Sequence, residues 1–158
     1  MKPGKDYIGL GVGAIIKNEK GQVLLLKRPD TITSDRTTSG MWSVPGGEVK
    51  FMEKVEDALK REVREEVGVE VEIIKHIGYH DQILTESQVH WHCQSFLCKI
   101  TEGKPRIKEP SKCEELKWFN PDNLPEKCGI AHIIVPLYKL GLISKSEYEK
   151  RLESTPES

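Results

Sequence analysis

The sequence predicts an α+β protein in which a mixed β-sheet is covered by helices on both faces. Three observations predict it. Segments with period-two alternation recur along the chain. One long amphipathic segment with a period near 3.6 interrupts them between residues 53 and 67, and two further helical patterns follow residue 131. No repeat, low-complexity tract or linker divides the 158 residues, so one domain from 1 to 158 is expected, with flexible ends at about 1–6 and 154–158.

The first strand runs from Ile8 to Ile16, with Ile8, Leu10, Val12, Ala14 and Ile16 on one face and Gly9, Gly11, Gly13 and Ile15 on the other. The nearly bare face leaves space for neighbouring backbone or side chains, or floors a substrate pocket. A turn at residues 17–21 follows where a dinucleotide fingerprint would need a helix, so that reading fails. Gln22 to Arg28 makes the partner strand, and Lys27 and Arg28 at its end are candidates to neutralise phosphates. Pro29 to Ser39 is polar, threonine-rich and aperiodic, the pattern of a mobile loop that closes over a substrate. Met41 to Val44 is a short strand whose Trp42 is a candidate either for the core or for stacking on a base. It leads into the Pro45-Gly46-Gly47 turn.

The helix from Glu53 to Val67 carries the chemistry. At about 100° per residue, Val55, Ala58, Leu59, Val63 and Val67 gather into one apolar arc, while Lys54, Asp57, Lys60 and Arg64 fall elsewhere. Glu62 and Glu66 land inside the arc and Glu65 on its edge. Burying unpaired carboxylates costs several kcal/mol each, and residues at i, i+3 and i+4 share a face, so these three repel one another. Hard divalent cations relieve that repulsion. Magnesium takes oxygen ligands and commonly bridges carboxylates to substrate phosphates, so the pattern points to a metal-phosphate site.

Gly68 stands where a helix C-cap belongs. Val69 to Leu84 then alternates as a strand with a bend near Gly78. Val89 to Ile100 is another, with Trp91, Cys93, Ser95 and Leu97 on one side and His90, His92, Phe96 and Cys98 on the other. His90 and His92 share a face as a two-histidine clip would, but no third ligand of the right type is evident nearby. Cys93, Cys98, Cys113 and Cys128 show no metal-type spacing and read as buried, reduced thiols rather than nucleophiles. Turns at residues 101–105 and 120–125 flank the strand Leu116 to Phe119. Ala131 to Leu140 has helical spacing, and Ser144 caps a final charged helix.

The run from Gly47, through Glu53, to Arg61-Glu62-Val63-Arg64-Glu65-Glu66-Val67-Gly68-Val69 fills every defining position of the Nudix box, and the chain resembles the Nudix hydrolases. The flanking segments VLLLKR, GMWSVPGG and EPSKCEELKWFNPDNLP extend the likeness, most of all to the small nucleoside-triphosphate pyrophosphatases of that family. The resemblance implies an α/β/α sandwich, commonly a homodimer, and hydrolysis of a pyrophosphate bond in a nucleoside diphosphate linked to a group X. It implies magnesium, with manganese as a substitute, held by Glu62, Glu65, Glu66 and the carbonyl of Gly46. By the same resemblance Glu62 or Glu109 accepts the proton of the attacking water, with Glu114 and Glu115 as rivals to Glu109. Arg61 orients Glu62, Glu53 holds the loop or supports the metal shell, and Gly47 borders the substrate. The markers that accompany ADP-ribose and dinucleoside-polyphosphate substrates are replaced here by Leu84, Thr85, Glu86 and Ser87, which favours a (deoxy)nucleoside triphosphate over ADP-ribose or another nucleotide sugar. The intact box argues against a non-catalytic sensor.

Composition limits the partners. Twenty-four lysines and arginines nearly cancel 25 aspartates and glutamates, with no basic block of the kind a nucleic-acid surface needs. No apolar run reaches the roughly 20 residues of a membrane span, and residues 1–7 are polar. A cytoplasmic protein acting on a small nucleotide, with neither nucleic acid nor membrane as partner, is expected.

Overall fold

In a computed structural model of the chain, which describes residues 1–29 and 40–154, the alternating segments divide between two sheets rather than one. The mixed sheet contains β1 (Gly9–Ile16), β4 (Gly46–Glu48), β5 (Glu70–Leu84) and β6 (Val89–Glu102), in the order β4-β1-β6-β5. Within it β1 runs parallel to β6, while β1–β4 and β5–β6 are antiparallel. The second sheet is antiparallel and has the order β3-β2-β7, with β2 at Val23–Lys27, β3 at Trp42–Ser43 and β7 at Glu115–Phe119. Periodicity places residues on faces but does not say which strand each edge finds, so the division into two sheets lay beyond it.

Alternation along β1 and β6 feeds two cores on opposite faces of the mixed sheet. On one face Val12, Ala14, Ile16, Phe96 and Cys98 meet the apolar arc of α1 (Val55–Val67), whose Ala58, Leu59, Val63 and Val67 are buried. On the other, Ile15 packs with Leu25, Trp42, Val44 and a helical layer centred on Ile133, Ile134 and Leu137. The bare face of β1 is occupied by neighbours. A Cβ at Gly9 would fall 2.5 Å from the Trp91 ring, one at Gly11 lies 3.2 Å from Cys93 Sγ, and one at Gly13 lies 3.1 Å from Val44. The glycines therefore make room for neighbouring side chains, the first of the two readings offered for that face.

Helix α1 ends as its sequence demands: Gly68 adopts φ +70° and its N–H returns to Arg64 O at 3.0 Å. The bend in β5 falls at Gly78 (φ +146°), where the register with β6 shifts. The helix expected from Ala131 to Leu140 begins instead as a π-helical turn, Ile130–Ile134, before α2 (Val135–Lys139). Pro136 has no N–H for the turn before it and its ring crowds the carbonyl four residues back, so the backbone widens there. Helix α3 (Lys145–Ser154) is capped by Ser144, whose Oγ accepts the Glu147 N–H at 3.1 Å, and its Tyr148 stacks on Tyr138 at 4.2 Å.

The expected flexible segment at 1–6 is instead folded back. The Gly4 N–H donates to Tyr7 O, the His90 N–H donates to Gly4 O at 2.9 Å, and Trp91 lies against Gly4. The loop expected to close over substrate lies, apart from Pro29, outside the described residues, as do residues 155–158. Among the described residues, no helix is long and apolar enough to cross a membrane.

Leu59 is fully buried between α1 and the mixed sheet. Leu59→Ala should lower stability by about 2–5 kcal/mol, read as a reduced urea midpoint at unchanged slope. A loss below about 1 kcal/mol would mean that this helix is not seated as described.

Candidate active site

The turn into α1 and the start of β4 bring backbone and carboxylates together because two residues there lack side chains. β4 lies beside β1, with Gly46 opposite Gly13 and Gly47 opposite Val12. A Cβ on Gly46 would sit 2.1 Å from Val12 O, and one on Gly47 would sit 2.4 Å from the carboxyl carbon of Glu62. Glu62 thus rests its carboxyl directly over the Gly47 backbone, a place that only glycine leaves open.

Arg61 fixes that arrangement. Its Nε donates to Glu53 Oε2 at 2.7 Å and its Nη2 to Glu53 Oε1 at 2.9 Å, a two-pronged pair, while Nη2 also donates to Glu48 O at 2.9 Å. Its Nη1 reaches Glu62 Oε1 at 2.9 Å and Glu65 Oε2 at 3.2 Å. One guanidinium therefore ties the loop before α1 to β4 and to two of the three helix carboxylates. The Arg61 hydrogen bonds hold Glu53 down to about 2, so it stays ionised throughout the physiological range.

Glu62 and Glu66 are half-buried, the former with 15% of its side chain exposed. Glu65 is the exception to the inward-facing trio, because its side chain is 50% exposed on the rim. Burial pushes Glu62 up from its ordinary value, against the opposing bond from Arg61. Glu66 is driven further, to about 8, first by burial and then by the charge of Glu62; Arg28 and the Gly46 N–H pull the other way. Two carboxylates this close and this dry cannot both ionise cheaply without a cation. Hard oxygen donors, mutual repulsion and a bare backbone at Gly46–Gly47 together fit a divalent metal of the magnesium type.

The segment before β7 completes the surroundings. The Arg106 and Lys108 N–H groups donate to Val67 O and Glu66 O along the end of α1, which carries Glu109 to where its charge is felt by Glu66. Glu109 is 32% exposed and paired with Lys112 at 3.2 Å, whereas its rivals Glu114 and Glu115 are exposed. Lys112, which sequence reasoning passed over, also lies within the field of Glu62; its spacing of three from Glu109 was the available signal. Arg28 is brought to the carboxylates. Lys27, one residue earlier, is set between Trp42 of β3 and Glu115 of β7.

Two expectations change. Trp42 is 9% exposed and packs edge-to-face on Phe119 at 4.8 Å, so it is a core aromatic and not a platform for a base. His90 and His92 do have an acidic neighbour, because the β5–β6 register brings Asp81 to their face, 2.9 Å from His92 Nδ1 and 3.7 Å from His90 Nε2. The four cysteines are free and buried, and burial pushes Cys93 and Cys98 up to about 12, out of the nucleophile's range.

Residues 8–137 match the NUDIX domain family. A Bacillus subtilis (strain 168) protein provisionally named an 8-oxo-dGTP diphosphatase is 31% identical over 115 residues, covering 73% of this chain and 68% of that protein. An NAD-capped RNA hydrolase NudC from Stutzerimonas stutzeri (strain A1501) is 30% identical over 147 residues, covering 90% of this chain and 49% of that protein. The chain thus spans about two thirds of the first relative's length and about half of the second's. The crystal structure of a MutT NUDIX hydrolase from Burkholderia pseudomallei superposes with a TM-score of 0.76 at 32% identity, covering 85% of this chain and 99% of that one.

The raised Glu66 gives a pH-dependent prediction. Its value in the folded protein lies above the ordinary 4.5, so the metal-free fold keeps a proton that an unfolded chain has already released. That contribution to stability is complete below pH 4.5 and is lost as pH rises through about 8. The melting temperature of chelator-treated protein should therefore fall between about pH 6 and pH 9. Magnesium should restore it more at the higher pH, by a few degrees when cation greatly exceeds its Kd. An equal magnesium effect at both pH values would contradict the assignment.

Proposed function

Because the chain belongs to the NUDIX family of pyrophosphohydrolases, we propose that its substrate is a (deoxy)nucleoside triphosphate, split to a nucleoside monophosphate and pyrophosphate. The observation that carries the metal-dependent hydrolysis in this reading is the pair Glu62 and Glu66, one helical turn apart and half-buried, with burial pushing both carboxyls up from their ordinary value. Glu62, Glu65, Glu66 and the Gly46 carbonyl are the proposed donors to magnesium. Bound there, divalent cations neutralise charge on the diphosphate and lower the pKa of an attacking water.

The chain's own groups supply the rest. Arg61 occupies one oxygen of Glu62 and thereby orients the other, so that the carboxylate need not reorganise during the reaction. Glu62 or Glu109 takes the proton from the attacking water; both lie in the field around Glu66. Glu53 acts through Arg61, holding the guanidinium by two oxygens. Arg28, with Lys27 behind it, counters the negative charge of the phosphates, and the bare Gly47, instead of bordering the substrate, makes room for the Glu62 carboxyl. The 8-oxo-dGTP name of the Bacillus relative and the Leu84–Ser87 segment both support a triphosphate. The NudC likeness, over a larger share of this chain, favours a second reading in which X is itself a nucleotide or sugar. Family resemblance also supports a homodimer.

Glu66→Gln should leave the metal-free fold intact, since it mimics the protonated acid, yet lower magnesium-dependent turnover at least about a hundredfold. Near-normal rates in that variant would end the proposal. Arg61→Lys should reduce kcat more than it changes KM, because one ammonium cannot span Glu53 and Glu62 at once. Product analysis separates the readings: monophosphate plus pyrophosphate supports the first, while two monophosphates, or AMP plus ribose phosphate, support the second.

A further inference from the structure

On the face of the mixed sheet opposite α1, three side chains from three elements meet. His80 of β5 stands directly across from Cys93 of β6, and His132 comes in from the π-helical turn. One ligand-type atom from each lies within 4.8 Å of the other two. The His80 and His132 rings are edge-to-face at 5.4 Å. No local spacing announces this group, because positions 80, 93 and 132 come together only through the β5–β6 register and the packing of the turn.

A further observation points to a ligand. The Nε2 of His80 is buried and has no hydrogen-bond partner among the described residues, unlike the ring nitrogens of His76 and His92, which are bonded to Gln94 and Asp81. Buried polar atoms are otherwise almost always satisfied, so an orphan beside two other donors calls for an explanation. Gly11 of β1 lies next to the thiol, and a Cβ there would stand 3.2 Å from Cys93 Sγ. The sulfur therefore lies against the bare backbone of Gly11, in the space that a side chain there would take.

We propose that His80, Cys93 and His132 form a second metal site, separate from the carboxylates, for a borderline divalent cation of the zinc class. Two imidazoles and a thiolate are donors that such a cation prefers and magnesium does not. Zinc–nitrogen bonds of about 2.0–2.1 Å and zinc–sulfur bonds of about 2.3 Å place ligand atoms roughly 3.3–3.8 Å apart. From within 4.8 Å of one another, the three ligand atoms need shifts of roughly an ångström to reach that spacing. Three protein ligands leave a fourth position for water. Both imidazoles are held neutral, the binding form, by burial and by the charges of Lys139 at His80 and Arg28 at His132. Binding replaces the proton on Cys93 with a sulfur–metal bond and releases that proton to solvent, so the cation and thiolate together add one positive charge. Asp81, next to His80, offsets part of it.

The test is independent of the proposed hydrolysis. Chelator-treated full chain is titrated with cobalt(II) as a spectroscopic probe, and with zinc in competition against a chromophoric chelator. The expected result is one zinc per chain, a thiolate-to-cobalt charge-transfer band, and the intense visible bands of a four-coordinate ion. Cys93→Ser should abolish the charge-transfer band, and His132→Ala should weaken zinc at least tenfold. Glu66→Gln and Cys128→Ser should change neither the band nor the affinity. A cobalt spectrum of the unaltered protein without a sulfur band would overturn the site with no variant needed. So would zinc binding that survives Cys93→Ser and is lost in Glu66→Gln, because the carboxylates would then be holding it.

Discussion

A half-buried carboxylate pair on the inner side of α1 is the constraint around which the neighbouring structure is arranged. Burial pushes Glu66 up to about 8 in the metal-free fold, and the charge of Glu62 beside it acts in the same direction. A helix chosen for stability alone would carry apolar residues there, as it does at Leu59 and Val63 one turn away. The surrounding residues spread the strain of keeping acids instead. Arg61 gives its planar fork to Glu53 and its remaining N–H to Glu62 and Glu65. Gly47 gives up a side chain so that Glu62 has somewhere to lie, and Gly46 gives an N–H to Glu66. Each concession makes sense only when the carboxylates are kept for chemistry.

The two cores explain why these acids hold their positions. β1 and β6 alternate, sending Val12, Ala14, Ile16, Phe96 and Cys98 to α1 and Ile15 and Leu97 to the opposite layer. α1 is therefore pressed on a sheet that is itself backed by the π-helical turn, α2 and α3. β4, which carries Gly46 and Gly47, is the edge strand that meets the helix, and it is pinned to β1 in register. A site whose ligands sit on a packed helix and a paired strand is held more closely than one built on loops.

Local patterns made much of this readable from the residues. The apolar arc of α1, the αL cap at Gly68, the Ser144 cap and the glutamates at 62 and 66 follow from spacing within one or two turns. What escaped involves contacts distant in sequence. Whether Trp42 meets a base or Phe119 depends on how β3, β7 and Cys128 come together. The acidic neighbour of His90 and His92 is set by the cross-strand register of the β5–β6 hairpin, which alternation within one strand does not give. Glu65 sits at the edge of the arc, and a rotation of a few tens of degrees decides between metal-facing and exposed. The widened turn before α2 needed Pro136 to be weighed against an otherwise helical apolar pattern.

The end of β2 joins features that the layers otherwise separate. Arg28 is exposed, yet its charge reaches Glu66 on the α1 side, His132 on the opposite side and the Cys113 thiol between β2 and β7. A cation in that place acts with opposite sign on the two sets of groups, favouring ionised Glu66 and disfavouring a protonated His132. Both effects move the donors towards the form that binds metal, one as carboxylate and one as neutral imidazole. A single strand-end arginine therefore conditions hard-oxygen and nitrogen–sulfur donors together. Its position follows from nothing more than the length of β2, which ends at Lys27 where Glu115 and Trp42 close the sheet on either side.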